Sequence, residues 1–359
     1  MDRIVLFFII TFFFFLVKGT RQGDKNGRIH FIVLSSVALI LASALRGLSV
    51  GPDTHQYFII FEQVKYYSFD ELWQSIISDG PITKDPFYWM FQKVFQVFSS
   101  NYNAFLGLVA IMFCTSLGIF LYKNKLSLNE LYVSYVFYLG LFYGFYSITG
   151  IRQTIAVSFT IYAYLFLLNK MTFLFLIFIF IAYLFHSSAI IFVLSFFLIR
   201  VKNVKLLLFS VLVLLPIIYI FRYQIFTQLI YMTDMEDRFG AYMKESYRGS
   251  LSVLALYLAV VVGIILKLRS IPTDSEMLNH IKNFSICIFG LPLLFVSGSA
   301  GRITMYFSVA MFVLVPYLTT SIRIKGNYFF VTLFMFLLIV IAYHDQPYVF
   351  YWNEITPVY

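Results

Sequence analysis

Charge is scarce in this chain. Asp, Glu, Lys and Arg make up 12% of its 359 residues, while 61% are apolar. Soluble domains carry about 25% charged residues, so a water-soluble globule is excluded. Cysteine is almost absent: Cys114 and Cys287 both sit inside apolar runs, with no CxxC pair to hold a metal or a redox disulfide. No glycine is followed by lysine, which excludes a Walker A loop, and there is no HExxH. Asp53-Thr54-His55 is the nearest approach to a metal-ligand pair, and no metal or cofactor is expected. The centres of the apolar runs hold no Asp or Glu, which argues against the buried carboxylate of an ion- or proton-coupled transporter.

What the chain has instead is long apolar runs, at about 4–17, 29–45, 104–122, 131–148, 151–168, 171–199, 206–221, 251–266, 283–297, 303–320 and 328–343. Runs of this length read as membrane-spanning helices. The run 171–199 is the odd one: as one helix it would measure about 43 Å against a hydrocarbon core of about 30 Å. His186-Ser187-Ser188 lies at its middle, Lys170 at one end, and Arg200, Lys202 and Lys205 at the other. Both ends carry the positive charge that marks cytoplasmic loops, so the run is expected to be a short hairpin turning near His186. The expected fold is all-α: one polytopic transmembrane domain over 1–359, with about 12 transmembrane segments including that hairpin. Ile4–Val17 reads as a retained first span, since no small-residue cleavage site precedes Lys18.

With the hairpin in place the loop charges alternate without conflict. Cytoplasmic segments hold 15 of the 26 basic residues and only four of the 17 acidic ones. The net charge of +9 is thus mostly a topology signal, and nucleic acid is not an expected partner. Two extracytoplasmic loops are long, at about 46–103 and 222–250. In the first, Asp85-Pro86 reads as an N-cap and N1 pair. Phe87, Phe91, Val94, Phe95 and Phe98 then form one face of an amphipathic helix.

Five polar residues at span edges are not explained by topology: Arg46, Asp53, Arg152, His186 and Arg302, all on the extracytoplasmic side of this scheme. Arg152 and Arg302 each open a span just after a glycine (Gly150-Ile151-Arg152 and Gly301-Arg302). A cation at a helix N-terminus is opposed by the macrodipole unless an anion is shared with the free N–H groups, and the preceding glycines would let a ligand approach. The pair therefore suggests a phosphate or diphosphate pocket, against the blander reading of arginines snorkelling to headgroups. His186, at the turn, is either a satisfied structural histidine or a group lining a cavity. Asp53 fits a capping box with Gln56.

In order along the chain, five segments resemble the EpsG/Wzy-type polysaccharide polymerases. Arg46 with Gly51-Pro52-Asp53-Thr54-His55-Gln56-Tyr57 is similar to their R-x(n)-G-x-D-x-x-x-Y segment. Asp85-Pro86-Phe87 is similar to their acidic-then-aromatic segment, although glutamate is the commoner acid there. Ile151-Arg152-Gln153-Thr154-Ile155-Ala156 resembles their I-R-Q-x-x-A helix start, Phe185-His186-Ser187-Ser188-Ala189 their F-H-x-S-A turn, and Arg302–Phe307 their late R-x-x-x-Y-F.

The resemblance implies a membrane glycosyltransferase of the bacterial cytoplasmic (inner) membrane. It would polymerise polyprenyl-diphosphate-linked oligosaccharide repeat units into O-antigen, capsule or exopolysaccharide on the extracytoplasmic face. Its partners would be that lipid-linked oligosaccharide, membrane lipid, a flippase and a chain-length regulator. The implied site has His186 and Asp53 as catalytic groups. Arg46, Arg152 and Arg302 would hold the diphosphate, with Tyr57, Asp85 and Gln153 as further substrate contacts. A ligase-like transferase shares the donor pocket and differs in acceptor. A flippase or transporter would call for charges along a central cavity and internal repeats, neither of which is visible.

The charge pattern makes a direct prediction. Single cysteines at 170, 202 and 275 in a Cys-free background should resist a membrane-impermeant thiol reagent in intact cells, and one at 235 should label. Labelling at 202 would overturn the hairpin and the shared outer face.

Overall fold

The computed structural model describes residues 2–20, 24–78, 80–82, 85–231, 251–272, 275–296, 304–320, 332, 334, 336–337 and 347–353. Arg302, the part 232–250 of the second long loop and most of the run 328–343 lie outside the described residues. Among those described the chain is all-α, and the only β pairing is an isolated bridge between Arg46 and Phe350. Three helical stretches are long and apolar enough to cross a membrane: Lys25–Ala44, Tyr102–Lys123 and Ile151–Leu168. The apolar helices Thr172–Phe185, Ser187–Leu198, Val204–Ile220 and Met305–Thr320 are shorter. The expected count of about 12 spans therefore goes beyond what helix length alone establishes.

The chain divides into two compact units, residues 1–190 with 319–359, and residues 191–318. The first begins with α1 (Arg3–Gly19) and α2 (Asp24–Ala44), followed by three short helices, α3 (Thr54–Gln63), α4 (Phe69–Ile77) and α5 (Pro86–Gln96). Then come α6 (Tyr102–Lys123), α7 (Leu128–Leu141), a π-helical turn at Gly144–Thr149, α8 (Ile151–Leu168) and α9 (Thr172–Phe185). Helix α6 is apolar all round because it is enclosed on most sides. Gly107 and Gly118 let α2 approach it at Ala44 and Ile32, the small-residue packing of membrane helices.

The two ends of these helices differ, and one of them gathers most of the lysines. At one end the Arg28 guanidinium donates to the Tyr122 carbonyl at 3.0 Å. Lys123 ends α6, Lys125 lies in the turn after it, and Lys170 turns α8 into α9 in the left-handed region (φ 62°). Phe120 meeting Tyr164 shows α6 and α8 running side by side toward this basic end. At the opposite end Asn103 donates to the Ala44 carbonyl at 2.7 Å, and Ser43 Oγ to the Ser147 carbonyl at 2.8 Å.

Arg46 is the node of that opposite end. Its guanidinium is buried. Nη1 donates to Ser43 O at 2.7 Å, Ser43 Oγ at 2.8 Å and Ser147 O at 2.9 Å, while Nη2 donates to Ile148 O at 3.0 Å. These are the orphan carbonyls at the end of α2 and along the π-turn, where negative partial charge collects. The segment 347–353 straps across the same loop. Gly47 N donates to Val349 O (2.8 Å), Tyr351 N to Leu45 O (3.1 Å) and the Tyr348 hydroxyl to Ala42 O (2.8 Å). Arg46 thus serves the fold: what its guanidinium holds here are protein oxygens, and its expected place on a diphosphate stays a proposal.

Two local expectations change as well. Asp53 is the N-cap of α3, but its side chain makes no capping hydrogen bond, so the box with Gln56 does not form. The complete capping box in this loop is Ser68–Glu71, at the start of α4. In α5 the aromatic stripe is not the buried face. Tyr88 and Gln92 are fully buried and Phe91 and Phe95 flank them, whereas Val94 and Phe98 are exposed.

The second unit starts in a 3₁₀ segment that spans Ser187–Val193 and continues into α10 (Leu194–Leu198), α11 (Val204–Ile220) and α12 (Arg222–Tyr231). It goes on through α13 (Leu251–Lys267), α14 (Met277–Gly290), α15 (Met305–Ser308) and α16 (Met311–Thr320). Lys282, which the charge pattern assigns to a loop, is buried within α14. Its ammonium donates to the Ile199 carbonyl just past α10 at 2.8 Å.

Replacing Arg46 by Ala strands several carbonyls in a dry site, and Lys recovers at most part of the fan. Both substitutions should cost more than about 2 kcal/mol, the scale of hydrogen bonds to a charged group. They should appear as a lower thermal midpoint of the purified protein in detergent.

Candidate active site

Helices α8 and α9 form an antiparallel hairpin around the Asn169-Lys170-Met171 turn, so the first residues of α8 and the last of α9 lie at the same end. That places Arg152 beside Phe185 and His186. Helix α9 stops at Phe185, and His186 is extended (φ −156°, ψ 111°) before the 3₁₀ segment begins. The break in the long run thus falls at His186, as the sequence suggests. Helix α5 joins them through Phe87 and Phe91, whose rings meet Phe185 edge-on at 5.0 and 5.3 Å. Its N-terminus delivers Asp85.

Asp85 is the centre of the site. It precedes Pro86 at N1 as expected, but its backbone is left-handed (φ 47°, ψ 55°) and its carboxylate caps nothing. Aspartate tolerates this region better than most residues, at a cost of about 1–2 kcal/mol. The carboxylate turns instead to Arg152: Nη1 donates to Asp85 Oδ2 at 2.6 Å. His186 Nδ1 lies 3.9 Å from the same oxygen and is buried, with no hydrogen bond among the described residues. Three segments distant in sequence therefore bring a carboxylate, a guanidinium and an imidazole to one point. The side chains of Arg152 and Asp85 keep 14% and 11% of their exposure, so the pair is strongly shielded without being sealed.

Aromatic rings wall the pair. The Arg152 guanidinium sits 5.6 Å from the Tyr57 ring centroid and 5.9 Å from that of Tyr88, and these rings meet edge-on at 6.1 Å. Cation–π attraction adds to the ion pair when the cation is desolvated. Burial pushes the Tyr88 phenol well above its ordinary pKa, so it stays neutral. It accepts a hydrogen bond from Gln92 Nε2 at 2.9 Å.

The other expected site residues divide. Tyr57 and Asp85 join Arg152 and His186. Asp53 lies one turn before Tyr57, half-buried, its carboxylate in no hydrogen bond or ion pair among the described residues. Gln153 is buried within α8. Gly150 does not open the backbone to a ligand; the Phe145 ring fills the space its Cβ would need. Arg302 lies outside the described residues. Sequence reasoning missed Tyr88 and Gln92, whose one signal is a pair of glutamines, Gln92 and Gln96, on the back of an aromatic stripe. Among the described residues no three His, Cys, Asp or Glu side chains converge as metal ligands would.

Asp85→Asn should leave the Arg152 guanidinium facing only neutral groups and cost about 3 kcal/mol, the low end for breaking a buried pair because both partners keep some exposure. Pairing it with Arg152→Gln should cost less than the two changes added together, with a coupling of at least about 0.5 kcal/mol. Chemical unfolding of the four proteins in detergent measures this directly.

Comparison with known proteins bears on residues at both ends of this arrangement. No curated protein and no solved structure matches the chain. The EpsG family model matches residues 29–356, a range that holds Arg46, Asp53, Tyr57, Asp85, Arg152, His186 and Arg302. The family comprises Wzy-type polymerases. With nearly its whole length matched, and with apolar helices that mark a membrane protein, the chain belongs to the EpsG family.

Proposed function

We propose that this protein is a multi-pass glycosyltransferase of the bacterial cytoplasmic membrane. It lengthens polyprenyl-diphosphate-linked oligosaccharide repeat units, on the extracytoplasmic face, into a surface polysaccharide such as O-antigen, capsule or exopolysaccharide. The observation that carries this reading is the convergence of Asp85, Arg152 and His186 in a chain of this family. About 12 segments of a single membrane domain would put the basic ends in the cytoplasm and the cluster on the other side. A flippase delivers the repeat unit, and a chain-length regulator acts on the product.

The reaction forms one glycosidic bond and breaks one. A sugar hydroxyl of the acceptor attacks the anomeric carbon of the donor, and the bond to the diphosphate oxygen breaks. Negative charge grows on the leaving diphosphate, which a preorganised guanidinium stabilises most where water is excluded. Arg152 supplies that charge. Its fork binds two phosphate oxygens at once, and Asp85 holds it aimed until substrate arrives. His186 takes the hydroxyl proton as general base, and the Asp85 carboxylate beside Nδ1 stabilises the imidazolium that results. Asp53, uncommitted one turn before Tyr57, is the second candidate base. Arg302 stands as the second diphosphate ligand, with Tyr57 and Gln153 close to Arg152 as further substrate contacts.

The test is lengthening of a lipid-linked repeat unit by purified protein in vesicles. A ladder of products spaced by one repeat is expected, with Arg152→Lys and His186→Gln reducing its rate roughly 30- to 1,000-fold at matched protein level, equivalent to about 2–4 kcal/mol of transition-state stabilisation. Transfer of a single glycan to a non-repeat acceptor would replace polymerisation by ligation. Movement of the lipid across the bilayer with no new bond would overturn the reading.

A further inference from the structure

Helix α4 has three faces, and among the described residues only one of them packs against protein, while a second is polar. Its Ser68–Glu71 capping box fixes where it starts, and at about 100° per residue its side chains fall into three arcs, with Asp70 at the seam beside Ile77. Leu72 and Ser75 point into the protein and are buried. Asp70, Glu71 and Gln74 occupy a polar arc in water. Between these arcs lie Phe69, Trp73 and Ile77, spaced four apart, and they are 45%, 55% and 64% exposed. Neighbouring elements expose apolar side chains too: Tyr66 just before the helix is 87% exposed, and Val97 and Phe98 just after α5 are 68% and 83% exposed. Lys93 of α5 reaches over the Phe69 ring.

What covers this surface follows from where the loop is tied. The segment 46–101 leaves the end of α2 and returns at the start of α6, two of the helices long and apolar enough to cross a membrane. Those two ends are joined by the Asn103 bond to the Ala44 carbonyl. Gln96 bonds the Phe61 carbonyl, and Phe61 and Phe95 pack on Phe105 of α6, so the loop is seated on the membrane helix itself. A helix held at that level, apolar on one flank and acidic on the other, has its apolar flank at the bilayer boundary. Phe, Trp and Tyr are the side chains that favour this boundary.

We propose that α4 is an interfacial helix, its Phe69–Trp73–Ile77 flank immersed in the bilayer surface at the non-basic end of α2 and α6, where it fixes the depth of the adjoining α5 and so of Asp85. This inference rests on α2 and α6 crossing a bilayer and not on the proposed reaction, so the two can fail independently.

Nitroxide labels on single added cysteines test it in the full chain; Cys114 and Cys287 are buried and stay unlabelled. Trp73→Cys, Ile77→Cys, Asp70→Cys and Gln74→Cys are reconstituted in vesicles of phosphatidylethanolamine and phosphatidylglycerol, and power-saturation spectra compare access to oxygen with access to a water-soluble nickel chelate. The expected result is oxygen-dominated access at 73 and 77, inverting to chelate-dominated access at 74, with 70, at the seam beside 77, less chelate-accessible than 74. Chelate-dominated access at all four sites would put α4 in water and overturn the proposal. Labels at 73 and 77 that neither reagent reaches would indicate a protein partner or a second copy, and would overturn it equally. If Trp73→Cys fails to fold, Ile77 against Gln74 makes the same comparison.

Discussion

A guanidinium deprived of water must be given oxygens, and in this protein that requirement at Arg46 organises everything around it. The acceptors closest to hand are carbonyls that helices cannot satisfy themselves: the last of α2 and those of the π-turn. By gathering them, Arg46 fixes the π-turn, and the π-turn leads directly through Gly150 into α8. The orientation of Arg152, two residues into α8, therefore depends on a charge that never meets it. The strap at 347–353 closes the same node from the other side through backbone bonds to Leu45 and Gly47. Burial lowers the Arg46 pKa from its ordinary value, with Tyr102 foremost among the tyrosines that oppose the shift; no carboxylate is among those causes, and helix-end dipoles do the balancing.

Arg152 solves a similar problem differently. At the start of α8 it faces the unfavourable end of the macrodipole, and its compensating anion is Asp85, drawn from a loop helix into a left-handed backbone conformation to reach it. A carboxylate held in strain against a cation is poised in a way that a relaxed one is not. Any anion that takes over part of the guanidinium fork loosens Asp85 from it, and His186 is the nearest group to receive that carboxylate's attention. In the proposed reaction, binding of a diphosphate and readiness of the base would be linked through one oxygen atom, Asp85 Oδ2.

Much of this was legible in the residues themselves. The all-α class, the break of 171–199 at His186 and the isolation of Arg152 as a cation needing an anion all come from hydropathy, run length and the helix dipole. The identity of the anion did not. Asp85-Pro86 has the local form of a cap, and local patterns cannot report that a side chain prefers a partner 67 positions away. The same limit explains α5: periodicity finds the aromatic stripe, but the face that turns inward is decided by Tyr88 and Gln92 satisfying each other, which a hydrophobic count reads backwards. Arg46 looked like Arg152 in sequence, a cation at a span edge, and only the fold shows that one faces π-turn carbonyls and the other a carboxylate.

The shortness of α9 carries a consequence for the chemistry. Its 14 residues rise about 21 Å, less than the roughly 30 Å of a hydrocarbon core. In the proposed topology, with the basic Lys170 turn at one boundary, the helix would end before the far one, and His186 and the carboxylate beside it would lie in a recess below the lipid headgroups. The proposed lipid-borne diphosphate would then sink toward them rather than rise into solution, away from bulk water. An activated glycosyl donor is lost to hydrolysis whenever water competes with the acceptor sugar, so a reaction centre set below the membrane surface favours growth of the chain over waste of the donor.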